Sequence, residues 1–527
     1  MRRFNVTGTC VGHKHYMVDI SGKLDEIEKL VDEEHYFTIN RARQYGKTTT
    51  LYHLEKRLEE KGDYICASIS FEDAGLNAFD TEELFCKMFL DKISKALRFS
   101  TADRDYAKKW GDPEVTNFGT LGDHITDLCE GNKLVLMIDE VDKSSNNRLF
   151  LHFLGILRAK YLMRQVNKDY TFHSVILAGV TDIKNLKLKM INDGTYELLK
   201  EEGRIANSPW NIAASFNIDM SFNPKEISTM LCEYESDRNT GMDSIAISNE
   251  IHTYTNGYPF LVSRICQCID EELDKKWTLE GVYQAVQIVL NEKNVLFDDM
   301  AKNLSNNENL YKFMYEILIL GEPKTYNIDN PDVSLAATFG YTKRADGSNK
   351  IAVCNRIFEI RMTHYFVAND ENIRNNKRVH GCIYQDVIKD GKFDMAACLT
   401  RFAALYKEIY SHLDEDFLER EGRLLFLSFL TPLLNGQGNF YIESQFTDMR
   451  RMDIVVDFES QQIIVELKLW RGEAAHEEAY EQLLGYMESK NATEGFLLTF
   501  DFRKQKTDVQ EPSWIEISGR RIFDVVV

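Results

Sequence analysis

The sequence predicts an α/β protein with two separate β-sheets: a doubly wound parallel sheet in its N-terminal half and a smaller α/β domain at its C-terminal end, with helices between them. Three observations predict it. An apolar strand passes through a Gly-Lys-Thr turn into a helix at residues 37–51. The run Leu134-Val135-Leu136-Met137-Ile138 ends in two carboxylates, Asp139-Glu140. A core-type strand further on reads Val465-Glu466-Leu467-Lys468-Leu469. Strands that alternate with helices up to about residue 220 call for a parallel sheet covered on both faces.

Taken in order, Leu24, Ile27, Leu30 and Val31 have helical spacing and place a helix beside the first strand. Phe37-Thr38-Ile39 is that strand, and the loop Asn40 to Gly46 leads into a helix through Leu51, Leu54 and Leu58. A nucleoside triphosphate is concentrated negative charge, which such a unit meets with backbone N–H groups, a helix N-terminus and one ammonium group. Gly46 would let the backbone approach, Lys47 would reach the β/γ-phosphates, and the Thr48 hydroxyl would hold Mg²⁺. Arg41 stands where G-x-x-x-x-G-K-[ST] has its first glycine, and a basic loop before an ordinary helix is the plain alternative.

Tyr64 to Phe71 is a second strand, Thr81 begins a helix, and a polar stretch near 100–120 leads to another. Lys133 to Glu140 is a strand buried on both faces, whose C-terminal end is where such sheets bind ligands. There Asp139 would contact Mg²⁺ through water and Glu140 would orient and deprotonate an attacking water; a surface Asp-Glu turn is the alternative. Leu149 to Val166 is helical, and Ser174 to Val180 is a further strand ending at Thr181-Asp182, a γ-phosphate sensor or an N-cap.

From Asn223-Pro224 to about residue 305 the pattern is helical, interrupted by Gly257-Tyr258-Pro259, and fits a lid over a nucleotide. Residues 306–368 read as helix, loop, strand (Ile351 to Cys354) and helix, a winged-helix module whose lack of a basic recognition helix favours packing over DNA binding. Residues 369–394 are linker-like.

The C-terminal domain, 395–527, opens with two helical patterns, the second carrying Glu421. Strands follow at Asn439 to Gln445, Arg451 to Asp457 and Gln462 to Leu469, then a helix with Gln482 and Tyr486, then the strand Gly495 to Phe500. Alternation puts Glu466 and Lys468 on one face. Opposite charges on a core strand are costly unless a site uses them. Asp453 would complete a carboxylate pair able to hold Mg²⁺ or Mn²⁺, Lys468 would position a water for attack on phosphorus, and Glu421 would supply or orient a further ligand. An exposed cross-strand ion pair is the alternative.

A chain of 527 residues is too long for one core. Its 44% hydrophobic and 28% charged residues exclude disordered and fibrous classes. A formal charge of −20 argues against a surface coated for nucleic acid, while leaving room for a local basic groove. No apolar run reaches the roughly 18 residues of a membrane span. The first residues lack the apolar core of a secretory signal, so a cytoplasmic protein without membrane contact is expected. The ten cysteines are scattered, and Cys266-Gln267-Cys268 has no second pair, so neither zinc nor disulfides are expected.

Two resemblances sharpen these readings. Asn40-Arg41-Ala42-Arg43-Gln44-Tyr45-Gly46-Lys47-Thr48, Ile138-Asp139-Glu140, Ser208-Pro209-Trp210-Asn211-Ile212-Ala213 and Gly257-Tyr258-Pro259-Phe260-Leu261-Val262-Ser263 resemble the AAA-ATPase-like family, P-loop NTPases related to the STAND and archaeal ATPase groups. That family often has arginine at the position of Arg41. The resemblance implies an ATP site built from Arg41, Arg43, Gly46, Lys47, Thr48, Thr49 and Asp139, with Gly257 and Pro259 against the nucleotide and Glu140 as the catalytic acid. Asp453 and, thirteen positions on, Glu466-Leu467-Lys468 resemble the PD-(D/E)XK nuclease superfamily, with Met452 where its proline stands. Gln482 and Tyr486 resemble the accessory helix residues of one branch, and the implied fold is restriction-endonuclease-like. Because the first family is often fused to the second, the chain reads as an ATP-dependent regulator of a nuclease acting on nucleic acid, with DNA the expected substrate. A STAND-like switch or scaffold, whose C-terminal fold only binds nucleic acid or a partner, is the alternative. Arg158 and Arg204 are candidate arginine fingers, and a finger from a neighbouring subunit would require a homo-oligomer.

Overall fold

A computed structural model describes residues 2–100, 104–111, 114–143, 148–180, 210–319, 322–369, 387–389, 391–410, 419–434, 438–441, 454–459, 461–501 and 511–527. The chain forms two compact units. The first comprises Met1–His252, Gly257–Gln267 and Thr338–Gly340; the second comprises Thr253–Asn256, Cys268–Ala337 and Tyr341–Val527.

The first unit is built on β1 (Tyr36–Asn40), β2 (Ile65–Ser70), β3 (Leu134–Asp139) and β4 (Ser174–Gly179), all parallel in the order β1-β4-β3-β2. Ala214 extends it: its N–H bonds the Tyr36 carbonyl at 2.8 Å in a parallel bridge on the free side of β1. Every residue of β3 and β4 is buried, as a sheet covered on both faces demands. Alternation then sorts their side chains into two cores. Val135, Met137, Ile176 and Ala178 join Phe37 and Ile39 against α1 (Ser21–Asp32) and α2 (Lys47–Lys61), through Ile27, Val31, Leu51, Leu54 and Leu58. Leu134, Leu136, Ile138, Val175 and Leu177 join Tyr36 against α3 (Glu82–Ser100), α4 (Arg104–Lys109), α5 (Phe118–Cys129) and α6 (Arg148–Arg164). The short α4 lies in the stretch read as polar; its Tyr106 and Ala107 are buried, and Trp110 just beyond is fully so. The helix Pro224–Arg238 starts with a capping box between Asn223 and Glu226 and with proline in its first turn.

The second unit holds a six-stranded mixed sheet in the order β13-β14-β12-β11-β10-β9. These are β9 (Gly438–Tyr441), β10 (Ile454–Phe458), β11 (Gln461–Leu469), β12 (Glu494–Phe500), β13 (Ser513–Ile517) and β14 (Arg520–Val526). β11, β12 and β14 run parallel, and the other pairs are antiparallel. The helix Glu473–Ser489 crosses from β11 to β12, with Leu483 and Met487 over Gly495. On the opposite face Phe500 packs against Phe402 and Tyr406 of the helix Met395–Tyr410, and close to Gly422 of Glu419–Leu434. Helix Glu308–Leu318, helix Pro331–Thr338, the hairpin β5 (Thr342–Arg344) and β6 (Ile351–Val353), and helix Arg356–Asn369 lie in the stretch read as a winged-helix module. Arg356 binds the Tyr441 hydroxyl at 2.7 Å and ties that module to β9. A hairpin of β7 (Ile388–Lys389) and β8 (Lys392–Phe393) lies in the stretch read as linker, and β13 and β14 extend the sheet beyond the strand read as its last.

Candidate functional site

The loop after β1 turns on Gly46, whose φ of 76° suits glycine, and α2 begins at Lys47 with no side chain capping its N-terminus. Lys47 is buried, and its Nζ donates to the carbonyls of Arg41 and Ala42 at 3.0 Å each. Burial pulls its pKa below the usual lysine value, against the opposing pull of Glu140, Asp142 and Asp139. The Thr48 hydroxyl donates to Asp139 Oδ2 at 2.5 Å, so the end of β3 meets the start of α2. Glu140 takes a φ of 54°, uncommon for a side-chain-bearing residue, and its N–H bonds Asp139 Oδ1 at 2.9 Å. Burial, then the neighbouring Asp139, raises its pKa above the ordinary carboxylate value.

The Gly257-Tyr258-Pro259 turn lies against the same loop. The Tyr258 hydroxyl donates to the Arg43 carbonyl, and its ring meets Tyr45 edge-on at 4.7 Å. Pro259 stands 4.0 Å from where a Cβ on Gly46 would lie. Gly257 has a φ of 71°, and a Cβ there would stand 2.0 Å from the Phe222 carbonyl oxygen. Two further residues of the expected set bond within the protein. Arg41 points its guanidinium to the carbonyls of Asn40 (2.7 Å) and Ile218 (2.5 Å), and it lies over the Phe216 ring; this braces the segment beside β1. Thr49 accepts from the Cys10 N–H at 3.1 Å, joining α2 to the N-terminal segment. The Tyr258 contact had one signal in the sequence, the aromatic residue between Gly257 and Pro259. Asp142, which accepts from the Val180 N–H, had none.

These groups fit a Mg²⁺-nucleotide: an uncapped helix N-terminus and an ammonium for phosphate oxygens, with a hydroxyl and a carboxylate for the cation. Arg204 and Thr181-Asp182 lie outside the described residues, and Arg158 lies on α6.

In the second unit, Glu466 is fully buried at the middle of β11, and Lys468 Nζ lies 2.8 Å from its Oε1. Lys468 keeps 29% of its side chain exposed, so the pair runs from the core toward solvent. Asp453 lies outside the described residues; the next residue, Ile454, opens β10 and pairs with Val465. Glu421 is in helix Glu419–Leu434, and its side chain lies outside the description. Gln482 is half-buried and donates to Glu478 at 3.4 Å, while Tyr486 is buried beside Leu483 and Met487. Glu466 suits a hard divalent cation as one oxygen ligand; among the described residues no group of three or more His, Cys, Asp or Glu could hold a metal.

A family model described as AAA-like domain matches residues 14–348, more than half of the chain. The chain belongs to the AAA-like domain family. A second model, described as PD-(D/E)XK nuclease superfamily, matches residues 439–511, so this AAA-like protein carries a nuclease-superfamily domain C-terminal to its ATPase-like one. Among solved structures it is similar to the Walker-type ATPase PABY2304 of Pyrococcus abyssi, at 12% identity, over 67% of this chain and 98% of that one, with a TM-score of 0.47. It is also similar to the ORC2 protein of Aeropyrum pernix in ADPNP-ADP complexes, at 12% identity, over 67% of this chain and 92% of that one, with a TM-score of 0.33. No curated protein matches the sequence. Among the described residues no helix is long and apolar enough to cross a membrane.

Proposed function

We propose that this AAA-like protein binds and hydrolyses ATP in its first unit and thereby regulates a divalent-metal-dependent phosphodiesterase in its second, acting on nucleic acid, with DNA the substrate to try first. The observation that carries the nuclease half is the Glu466–Lys468 pair. An acid with no solvent exposure on a central strand loses most of its hydration, and a salt bridge seldom restores what burial costs. Such a pair is expected where chemistry uses it. Glu466 would hold a divalent cation with Asp453 and Glu421, and Lys468 would orient the attacking water. The bound metal would neutralise charge on the phosphate.

For the ATPase half, Lys47, Thr48 and the N–H groups opening α2 would hold the triphosphate. Asp139 would orient the cation that Thr48 shares, and Glu140, with its raised pKa, would take the proton of the attacking water. Mg²⁺ would screen the phosphates from one another.

Two experiments test the halves separately. Lys47→Ala is expected to abolish nucleotide binding, and Glu140→Gln to keep binding while slowing hydrolysis at least a hundredfold, measured by fluorescent-nucleotide titration and phosphate release. Equal hydrolysis by wild type and Glu140→Gln would remove Glu140 from this role. Labelled duplex and single-stranded DNA, incubated with Mg²⁺ or Mn²⁺, is expected to be cut by wild type and left intact by Glu466→Ala/Lys468→Ala. Uncut DNA in both leaves the ATP-dependent switch as the better reading.

A further inference from the structure

At the free side of β1 the sheet ends in an isolated bridge between Phe37 and Ala214, and beside it lies a cavity of about 260 Å³. Thr38, Asn40 and Arg41 line it from β1 and the loop that follows, and Ser215, Phe216 and Asn217 line it from the bridging segment. Lys47, Thr48, Asp139 and Glu140 take no part in its wall. The Arg41 guanidinium lies 5.4 Å over the Phe216 ring, which stacks on Phe37 at 6.0 Å, so the charge rests on a packed apolar floor. Its two carbonyl partners, Asn40 and Ile218, use fewer N–H groups than a guanidinium has. Burial pulls its pKa down, and the groups that oppose this are Tyr45 and Asp219. Asp219 Oδ1 already accepts from the Ser221 N–H and hydroxyl, and among the described residues no carboxylate is ion-paired with Arg41.

We propose that this cavity binds a small oxyanion that keeps a proton, orthophosphate being the type, and that its occupancy opposes nucleotide binding. A positive charge held mostly away from water without a counter-ion costs free energy that an anion recovers. Thr38, 4% exposed, adds a hydroxyl to the wall, and Ser215 and Asn217 add a hydroxyl and an amide at the exposed rim. Asn40 makes the opposite demand: its Oδ1 is buried with no hydrogen-bond partner, an acceptor that lacks a donor. At neutral pH phosphate brings charged oxygens for Arg41 and a P–O–H for Asn40, whereas sulfate brings acceptors alone. A site built around a donor discriminates against the ligand that lacks it. The volume holds phosphate together with several waters, at about 30 Å³ for each water. The opposition to nucleotide rests on the reading of the loop as an ATP site. Arg41 belongs to that loop, and its carbonyl accepts from Lys47 Nζ at 3.0 Å. An anion that neutralises Arg41 removes positive charge from the field that draws the triphosphate, and the effect is reciprocal.

The test is isothermal titration of orthophosphate and of sulfate, in chloride buffer at neutral pH, into the full chain carrying Lys47→Ala, which removes phosphate capture by the nucleotide loop. Arg41→Gln and the rim pair S215L/N217L are added on that background, and each protein is also melted thermally; the rim positions are exposed, so leucine there blocks the cavity without entering the core. Lys47→Ala is expected to bind phosphate about tenfold or more tighter than sulfate, and either addition to weaken phosphate binding about tenfold or more. In the otherwise wild-type chain, saturating phosphate should weaken fluorescent-ATP binding about threefold or more, and S215L/N217L should abolish that effect. Equal binding of phosphate and sulfate, or phosphate binding that S215L/N217L leaves unchanged, would mean an adventitious ion only and overturn the site. Binding seen in wild type and lost with Lys47→Ala would assign the ion to the nucleotide loop and overturn the site as well. An ATP affinity that phosphate leaves unaltered, or alters equally in S215L/N217L, would overturn the antagonism. Wild type that binds no ATP would overturn the nucleotide reading and the antagonism together, while the titration into Lys47→Ala still decides the cavity.

Discussion

Gly257 shows how narrowly the turn before helix Pro259–Glu271 is constrained. Its positive φ and the Phe222 backbone, whose N–H bonds the Gly257 carbonyl at 2.9 Å, leave no room for a side chain. Gly257→Ala is expected to destabilise the protein by about 3 kcal/mol or more, combining left-handed strain with a steric clash, and thermal melting would show it. Glu55 on α2 gives a prediction with a sign. Burial, and then the charge of Glu59, push its carboxyl up to about 7 from an ordinary 4.5. Between those values the folded chain holds a proton that the unfolded chain releases, so this group's contribution to stability falls as pH rises through the window. Glu55→Gln should therefore melt about 2–4 °C above wild type at pH 8, with the gain vanishing near pH 4.

At the scale of elements, Tyr258 links the turn before helix Pro259–Glu271 to the loop after β1 through the Arg43 carbonyl. Removing that bond with Tyr258→Phe should cost about 1 kcal/mol, read as ATP binding roughly fivefold weaker in a fluorescent-nucleotide titration. On β11, replacing both charges with leucine in E466L/K468L should leave the melting temperature equal or higher while cleavage is lost, because an apolar pair of similar volume avoids the desolvation cost. A large drop in melting temperature would make the pair structural. What could be read from the sequence followed the strength of the apolar signal. β3 and β4 are unbroken runs, and Val465 to Leu469 of β11 alternates, so their places and the Glu466–Lys468 pairing of faces were legible. β7 and β8 are two residues each and β5 is three, too short for any period to register. β14 begins with Arg520-Arg521, which hides a strand whose next residues are buried. Asp524 and its contact with His476 went unseen with it, since only tertiary pairing brings residues 48 positions apart together. Arg41 was legible as a departure from the glycine pattern, but its partner, the Ile218 carbonyl, was not.

For the whole molecule, the two units each carry a compact group of costly residues: buried Lys47 with Thr48, Asp139 and Glu140 in one, and buried Glu466 with Lys468 in the other. Their union in one AAA-like chain is the reason to read ATP as the controller of cleavage. If ATP binding controls the second site, removing Lys47 must change DNA cleavage although Lys47 belongs to the first. The decisive measurement is the cleavage rate of labelled DNA with Mg²⁺, with and without ATP, by wild type and Lys47→Ala. The account predicts a wild-type rate that changes with ATP, at least tenfold, and a Lys47→Ala rate that does not respond. Wild type and Lys47→Ala cutting at the same rate in every nucleotide condition would contradict it.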